Sequence, residues 1–406
     1  MIVKGLRVLG AEGPRVFLAR LLAKAHGMLV RLSPKMLVRN EDAAGVDWTT
    51  RPPQLEDQIT VREGPVDIAW VMSPPGRESG GHQNLFRFID FAEKAGHRCT
   101  IYLYSSMVDQ VSIPDVRSMI EKSAAYPNLA ADIRMYEADS GVHDSAQALF
   151  ATGWETAYPV FLDKSRAKRF YFVQDFEPSF YPVGTEYVLA ENTYRFGFHG
   201  ITAGGWLAHK LHTEYGMSTD LFDFAVDKSH YHVTNTNRRD EVFFYARPVT
   251  ARRAFEFGLL ALTDFASMKP DVTINLAGWN VSNWDIPFKY NNLASLDISK
   301  LNDVYNRCAA GLVLSLTNMS LLPLELMASG VTPVVNDAPN NRLVSDNPFI
   351  EYVPASPLAI ARTMAEIIDR PDAVERSISM SKSLANVNWH DSGAQFVEAF
   401  ERVMSA

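Results

Sequence analysis

A chain of 406 residues is long enough for two or three domains. Its 47% hydrophobic and 21% charged residues match a globular protein with large cores and exclude a disordered, collagen-like or disulfide-stapled chain. With 39 basic against 47 acidic residues the net charge is −8, without the basic excess of a nucleic-acid binder, so no nucleic-acid partner is expected.

The charge is uneven along the chain. Residues 1–40 hold eight basic side chains (Lys4, Arg7, Arg15, Arg20, Lys24, Arg31, Lys35, Arg39) against one acid, Glu12. Read as a helix, residues 14–32 put Arg20, Lys24 and Arg31 on one side and Phe17, Leu21, Leu22, Ala25, Met28, Leu29 and Leu32 on the other. Such a helix suits two places: the headgroup region of an anionic membrane, or an apolar stripe packed on its own protein. Residues 41–65 are polar, carry Pro52-Pro53 and read as a linker or wrap, so 1–65 form a basic extension.

From 66 the pattern changes to short apolar runs alternating with helical periodicity. Strands are expected at 67–73, 98–104, 133–136, 148–151, 169–174 and 200–203, with a helix at 84–95. The polar stretch 223–240 marks a boundary, giving a first Rossmann-like domain over 66–235. Alternation restarts in 236–388 with strands at 241–246, 272–277, 311–316 and 332–336, and helices at 251–268, 300–309, from 323, and at 357–369. A last helix at 391–404, within the segment 389–406, has no strand after it and is expected to pack back on the first domain. The fold class is therefore α/β, with two doubly wound parallel sheets and a ligand cleft between them.

Several chemistries lack their motifs. There is no G-x-G-x-x-G after the first strand, no P-loop and no D-x-D, and Cys99 and Cys308 fit no metal or redox spacing. No metal or other cofactor is expected, and a reducing cytoplasm is the simplest setting. His209 and His212, and His230 and His232, are pairs without a third ligand. Gly80-Gly81 at a strand-to-helix turn either lets backbone approach an anionic ligand or supplies positive φ for a tight turn. Arg247 ends a strand, and Arg252 and Arg253 enter the first turn of the next helix, where cations oppose the dipole. A clamp on phosphate oxygens explains them better than a solvated surface. Glu325, in the first turn of the helix after 314–322, either complements the dipole or accepts two hydrogen bonds from ribose hydroxyls. Asp175 and Glu177 follow a first-domain strand and could orient or deprotonate an acceptor hydroxyl, or be solvated; Trp154 could stack on a sugar or pack in the core.

The Gly80-Gly81 turn, Gly96-His97, Arg247 with Arg252 five residues on, Pro323-Leu324-Glu325 followed by Gly330, and Trp389 resemble, in that order, glycosyltransferase family four. Within that family, Gln174-Asp175-Phe176-Glu177-Pro178-Ser179-Phe180-Tyr181, Tyr245-Ala246-Arg247-Pro248 and Ala254-Phe255-Glu256 resemble the WsaF-type rhamnosyltransferases of bacterial surface-glycan assembly. The likeness runs from about residue 66 to the C-terminus. It implies a GT-B fold and transfer of a sugar, rhamnose included, from a nucleotide-diphosphate donor to a glycan or lipid-linked glycan, with retention and without a metal, on the cytoplasmic side. It also implies Arg247 and Arg252 for the diphosphate and Glu325 for the ribose. Gly80, Gly81, Arg253 and Thr317 would line the donor, Met319, Ser320, Leu321 and Leu322 would offer it backbone N–H groups, and Glu177 and Trp154 would line the acceptor. Two positions depart from the pattern: Thr317 stands where the family's E-x7-E has its first glutamate, and Arg252 where it has lysine.

Overall fold

The computed structural model describes residues 36–76, 79–106, 111–123 and 126–406; the basic helix expected at 14–32 lies outside them. The first domain is a seven-stranded sheet of β1 (Asp67–Met72), β2 (Arg98–Leu103), β3 (Asp132–Met135), β4 (Ala148–Ala151), β5 (Lys168–Val173), β6 (His199–Ala203) and β7 (Thr219–Phe222), in the order β3-β2-β1-β4-β5-β6-β7. The second holds β8 (Glu241–Tyr245), β9 (Thr273–Ala277), β10 (Asn291–Ala294), β11 (Cys308–Val313), β12 (Thr332–Asn336) and β13 (Glu351–Val353), in the order β10-β9-β8-β11-β12-β13. Every pairing is parallel.

Near-continuous apolar strands explain this arrangement, because helices cover both faces of a parallel sheet. In β1 and β5 only the first residue escapes full burial. The register aligns aromatic rings across the first sheet. Trp70 pairs with Phe150 and stacks on it at 4.1 Å, and Phe150 pairs with Phe170 at 4.8 Å. Such offset stacking adds to the area these rings bury.

Each sheet reverses its winding once, between β1 and β4 in the first and between β8 and β11 in the second. Doubly wound sheets bind ligands beyond the carboxyl ends of their strands at these switch points.

The segment before β1 is a wrap rather than a free linker. It forms short helices Asn40–Gly45 and Pro53–Glu56, and Asp42 accepts a 2.6 Å bond from the Tyr104 hydroxyl, which itself accepts from the Arg39 N–H at 2.8 Å. The closing helix, Trp389–Ser405, buries Phe396, Phe400 and Met404 in the core of the first domain. Gly393 makes this possible, since a Cβ there would lie 2.6 Å from the Phe91 ring.

Candidate active site

The second-domain switch point gathers three arginines. Arg247 follows β8, donates to the Gly278 carbonyl at 3.3 Å and lies 5.9 Å from the rings of Tyr245 and Trp279. Arg252 and Arg253 are not in the first turn of the next helix, which corrects the sequence expectation. They form a separate 3-10 turn, Ala251–Arg253, ended by Ala254 at φ 47° before helix Phe255–Met268 begins. A left-handed alanine is uncommon and must be held by its surroundings; the Leu316 N–H binds the Arg252 carbonyl at 3.0 Å. The break frees both guanidinium groups from the helix axis. Arg253 donates to Ser315 Oγ at 2.8 Å. Burial pulls its guanidinium below the usual range; Asp175 opposes this, and the charges of Arg252 and Arg247 add to it.

Asp175 is not a free base. Its carboxylate lies 3.0 Å from Arg252 Nε and accepts from the Thr317 hydroxyl at 3.1 Å, the Asn318 N–H at 2.9 Å and the Phe176 N–H at 2.8 Å. Three of these four partners come from the opposite domain. The Asn318 amide adds bonds to the carbonyls of Gln174 (3.1 Å) and Ala203 (2.8 Å). Asp175 is thus a clasp across the cleft, with its acceptor capacity used.

Two further corrections concern the acceptor side. Glu177 is buried and accepts from the Trp154 N–H at 2.5 Å and the Tyr171 hydroxyl at 3.1 Å. Burial, then repulsion from Glu155, push its carboxyl well above the ordinary range. It caps a helix start and is spent on partners of its own domain. Trp154 is 1% exposed and donates its indole N–H to the Tyr181 hydroxyl at 2.9 Å, so its ring packs in the core and cannot stack on a sugar.

Along residues 317–322 the side chains of Thr317, Met319 and Leu322 are buried, so Met319 and Leu322 have only the expected backbone groups to offer a ligand. Thr317 is spent on Asp175, and Asn340 fixes the loop by donating to the carbonyls of Ser315, at 3.0 Å, and Thr317. Ser320 and Leu321 keep partial exposure at the start of helix Leu322–Ala328. Gly80 and Gly81 open helix Gly80–Lys94 without positive φ, so the turn does not require them. Both are exposed at that helix end, where Ser79 Oγ accepts from the His82 N–H.

Glu325 belongs to a second cluster. It is partly buried on helix Leu322–Ala328, and burial raises its carboxyl to about 7; Arg87 is the cation that opposes the rise. Arg87, on helix Gly80–Lys94 of the first domain, stacks 3.9 Å over Trp389, and burial lowers it to about 10 against the pull of Asp227 and Glu325. Sequence reasoning missed Arg87, because nothing local marks one arginine on an amphipathic helix as the partner of an acid some 240 residues away. It also missed Glu155 as a site group. That residue sits at the β1/β4 switch point, takes the Ser73 hydroxyl, and is raised by burial. Among the described residues no group of three His, Cys, Asp or Glu side chains could hold a metal. His212 and His230 instead contact the Met217 carbonyl and Asp227.

Two doubly wound domains clasped across a cleft, with cations at a switch point, define the GT-B fold of glycosyltransferases. Known structures share it. S. aureus TarM in complex with fondaparinux, alpha-GlcNAc-glycerol and UDP superimposes with a TM-score of 0.66 at 7% identity, over 84% of this chain and 100% of that one. Anabaena Alr3699/HepE with UDP and glucose gives 0.61 at 13%, over 84% and 100%. A Rickettsia africae glycosyltransferase gives 0.59 at 12%, over 84% and 98%.

Two family models match the chain: "WsaF, N-terminal domain" over residues 142–203 and "WsaF, C-terminal domain" over residues 240–365. It is also 33% identical over 290 residues to the O-antigen biosynthesis protein RfbC of Myxococcus xanthus. That match covers 69% of this chain and 22% of the relative, so the chain spans about a fifth of it.

Proposed function

We propose that this protein transfers a sugar, rhamnose first among candidates, from a nucleoside-diphosphate donor to a glycan or lipid-linked glycan acceptor. The observation that carries this is the convergence of Arg247, Arg252 and Arg253 at the β8/β11 switch point, with Asp175 as the one carboxylate against them. Like charges are costly to assemble there unless an anion joins them, and guanidinium forks match phosphate oxygens. Glu325 would accept the ribose hydroxyls, and Ser320 and Leu321 would border the diphosphate. Complexes of the Anabaena and S. aureus neighbours with UDP support a nucleotide in this fold.

In the proposed step the bond from the anomeric carbon to the diphosphate oxygen breaks, and its electron pair leaves on the diphosphate. The acceptor oxygen bonds to the same carbon from the same face, and its proton passes to the leaving phosphate, giving retention. The arginines stabilise the departing charge in place, the kind of preorganised field that is often the largest catalytic term. No metal is invoked.

A thermal-shift screen against nucleoside-diphosphate sugars tests the proposal, because a ligand of the native state raises its melting temperature. The donor should stabilise the protein and be consumed on addition of acceptor. Binding without transfer would make the chain a sugar-nucleotide-binding scaffold, and conversion without acceptor an epimerase.

No helix among the described residues is long and apolar enough to cross a membrane. For residues 14–32 we propose peripheral contact with the inner face of an anionic membrane. Deleting residues 1–40 should then abolish co-flotation with anionic vesicles, and unchanged flotation would refute the contact.

A further inference from the structure

The edge of the second sheet opposite Arg247 holds a separate concentration of positive charge. A pocket at the amino ends of β8, β11 and β12 is lined by Arg238, Arg239, Gly330, Arg370, Arg376 and Ser377. Arg239 is 6% exposed, yet all its bonds go to neutral groups: the carbonyls of Ser329 (2.8 Å), Asn235 (2.9 Å) and Cys308 (3.4 Å), and Asn306 Oδ1 (3.3 Å). Its Nε has no partner. Ser377, 9% exposed, leaves its hydroxyl unpartnered, and so does Arg376 its Nε.

Buried charges are ordinarily paired, and buried donors ordinarily bonded. Here the pairing is incomplete. Arg370 and Arg376 share one oxygen of Glu351, at 3.1 and 3.0 Å, while Arg238 is held by the carbonyls of Arg370 and Ile368. Four guanidinium groups thus meet one carboxylate among the described residues. The Ser329 carbonyl, at the end of helix Leu322–Ala328, offsets only part of a charge. Gly330, at φ 80°, lets these groups close in on the backbone: a Cβ there would fall 2.2 Å from Ser377 Oγ and 3.0 Å from Arg239 Nη2.

We propose that this pocket binds a phosphate group, held by Arg239, Arg376 and Ser377 with Arg238 and Arg370 at its rim. Three unpartnered donors around surplus cations suit a tetrahedral dianion with several acceptor oxygens better than a planar carboxylate. The phosphate could come from free orthophosphate or from the headgroup of an anionic lipid, and the two sources are separable.

The test is calorimetric titration of the full chain with inorganic phosphate at fixed ionic strength, in an Arg247→Ala background so that the cleft does not compete. Binding is expected, and Arg370→Gln with Arg376→Gln should weaken it at least tenfold. Ser377→Ala, which removes no charge, should weaken it several-fold and serves if the double variant does not fold. Phosphate affinity unchanged in Ser377→Ala and in the double variant, or no binding at all, overturns the proposal. In a second arm, vesicles of phosphatidylglycerol in phosphatidylcholine are floated with each protein. Flotation that needs Arg370 and Arg376 and is competed by phosphate assigns the site to a lipid headgroup; phosphate binding without such dependence assigns it to the free ion.

Discussion

Arg247→Ala is expected to lower sugar transfer by about 100-fold or more while leaving the protein folded, the scale of loss found when one preorganised donor to a developing oxyanion is removed. Among the described residues Arg247 makes one long bond, to the Gly278 carbonyl, and rests near two rings without a carboxylate partner. Its loss strands no buried group, so stability should change by about 0.5 kcal/mol or less. Arg252→Ala should behave differently, because it takes the cation from Asp175 and leaves a buried carboxylate held by neutral donors only. That variant should lose both activity and melting temperature. Steady-state kinetics beside thermal melts separate the two, and wild-type turnover by Arg247→Ala would remove the basis for the phosphate clamp.

Glu325→Gln should cost donor affinity and add stability, with a pH signature for each. Burial holds the carboxyl at about 7, against 4.5 for an unperturbed group. Between those values the folded chain binds more protons than the unfolded one, so this group lowers stability as pH rises from 4.5 to 7 and no further above that. The difference in melting temperature between glutamine and wild type should therefore be near zero below pH 4.5, grow to pH 7 and then level. The free-energy difference behind it has a ceiling of about 3 kcal/mol, reduced because the side chain keeps some contact with water. Donor affinity follows the opposite course: only the ionised carboxylate accepts two ribose hydroxyls fully, so wild-type affinity should fall below pH 7. In Glu325→Gln it should be at least tenfold weaker and insensitive to pH across that range. A variant that gains stability but binds donor as the wild type does would leave Glu325 a structural acid.

The core strands were legible because fully buried parallel strands leave apolar runs such as Ile68–Met72 in the sequence. The edge strands β7, β10 and β13 were not. They are short, half polar and covered on fewer sides, so Asn291-Asn292-Leu293-Ala294 carries no apolar signature. The arginines were correctly placed after β8, but their local geometry was not foreseen. Alanine favours a helix, and nothing in its neighbours' propensities announces that Ala254 will turn left-handed. Asp175, Glu177 and Trp154 could be located at strand ends from sequence alone. Their partners could not, because an acid awaiting substrate and an acid clasping Thr317 from 142 positions away look the same in one dimension.

The return of helix Trp389–Ser405 to the first core has a consequence for biosynthesis. Phe396 stacks near Trp70, Phe150 and Phe400, so the first-domain sheet, made before the second, lacks part of its own interior until residues 389–405 have been made. The later-made half, whose interior is assembled from residues 242–367, can mature sooner. Synthesis order and completion order are thus reversed, and a ribosome stalled near codon 388 would hold a finished second half tethered to a greasy, unsealed companion.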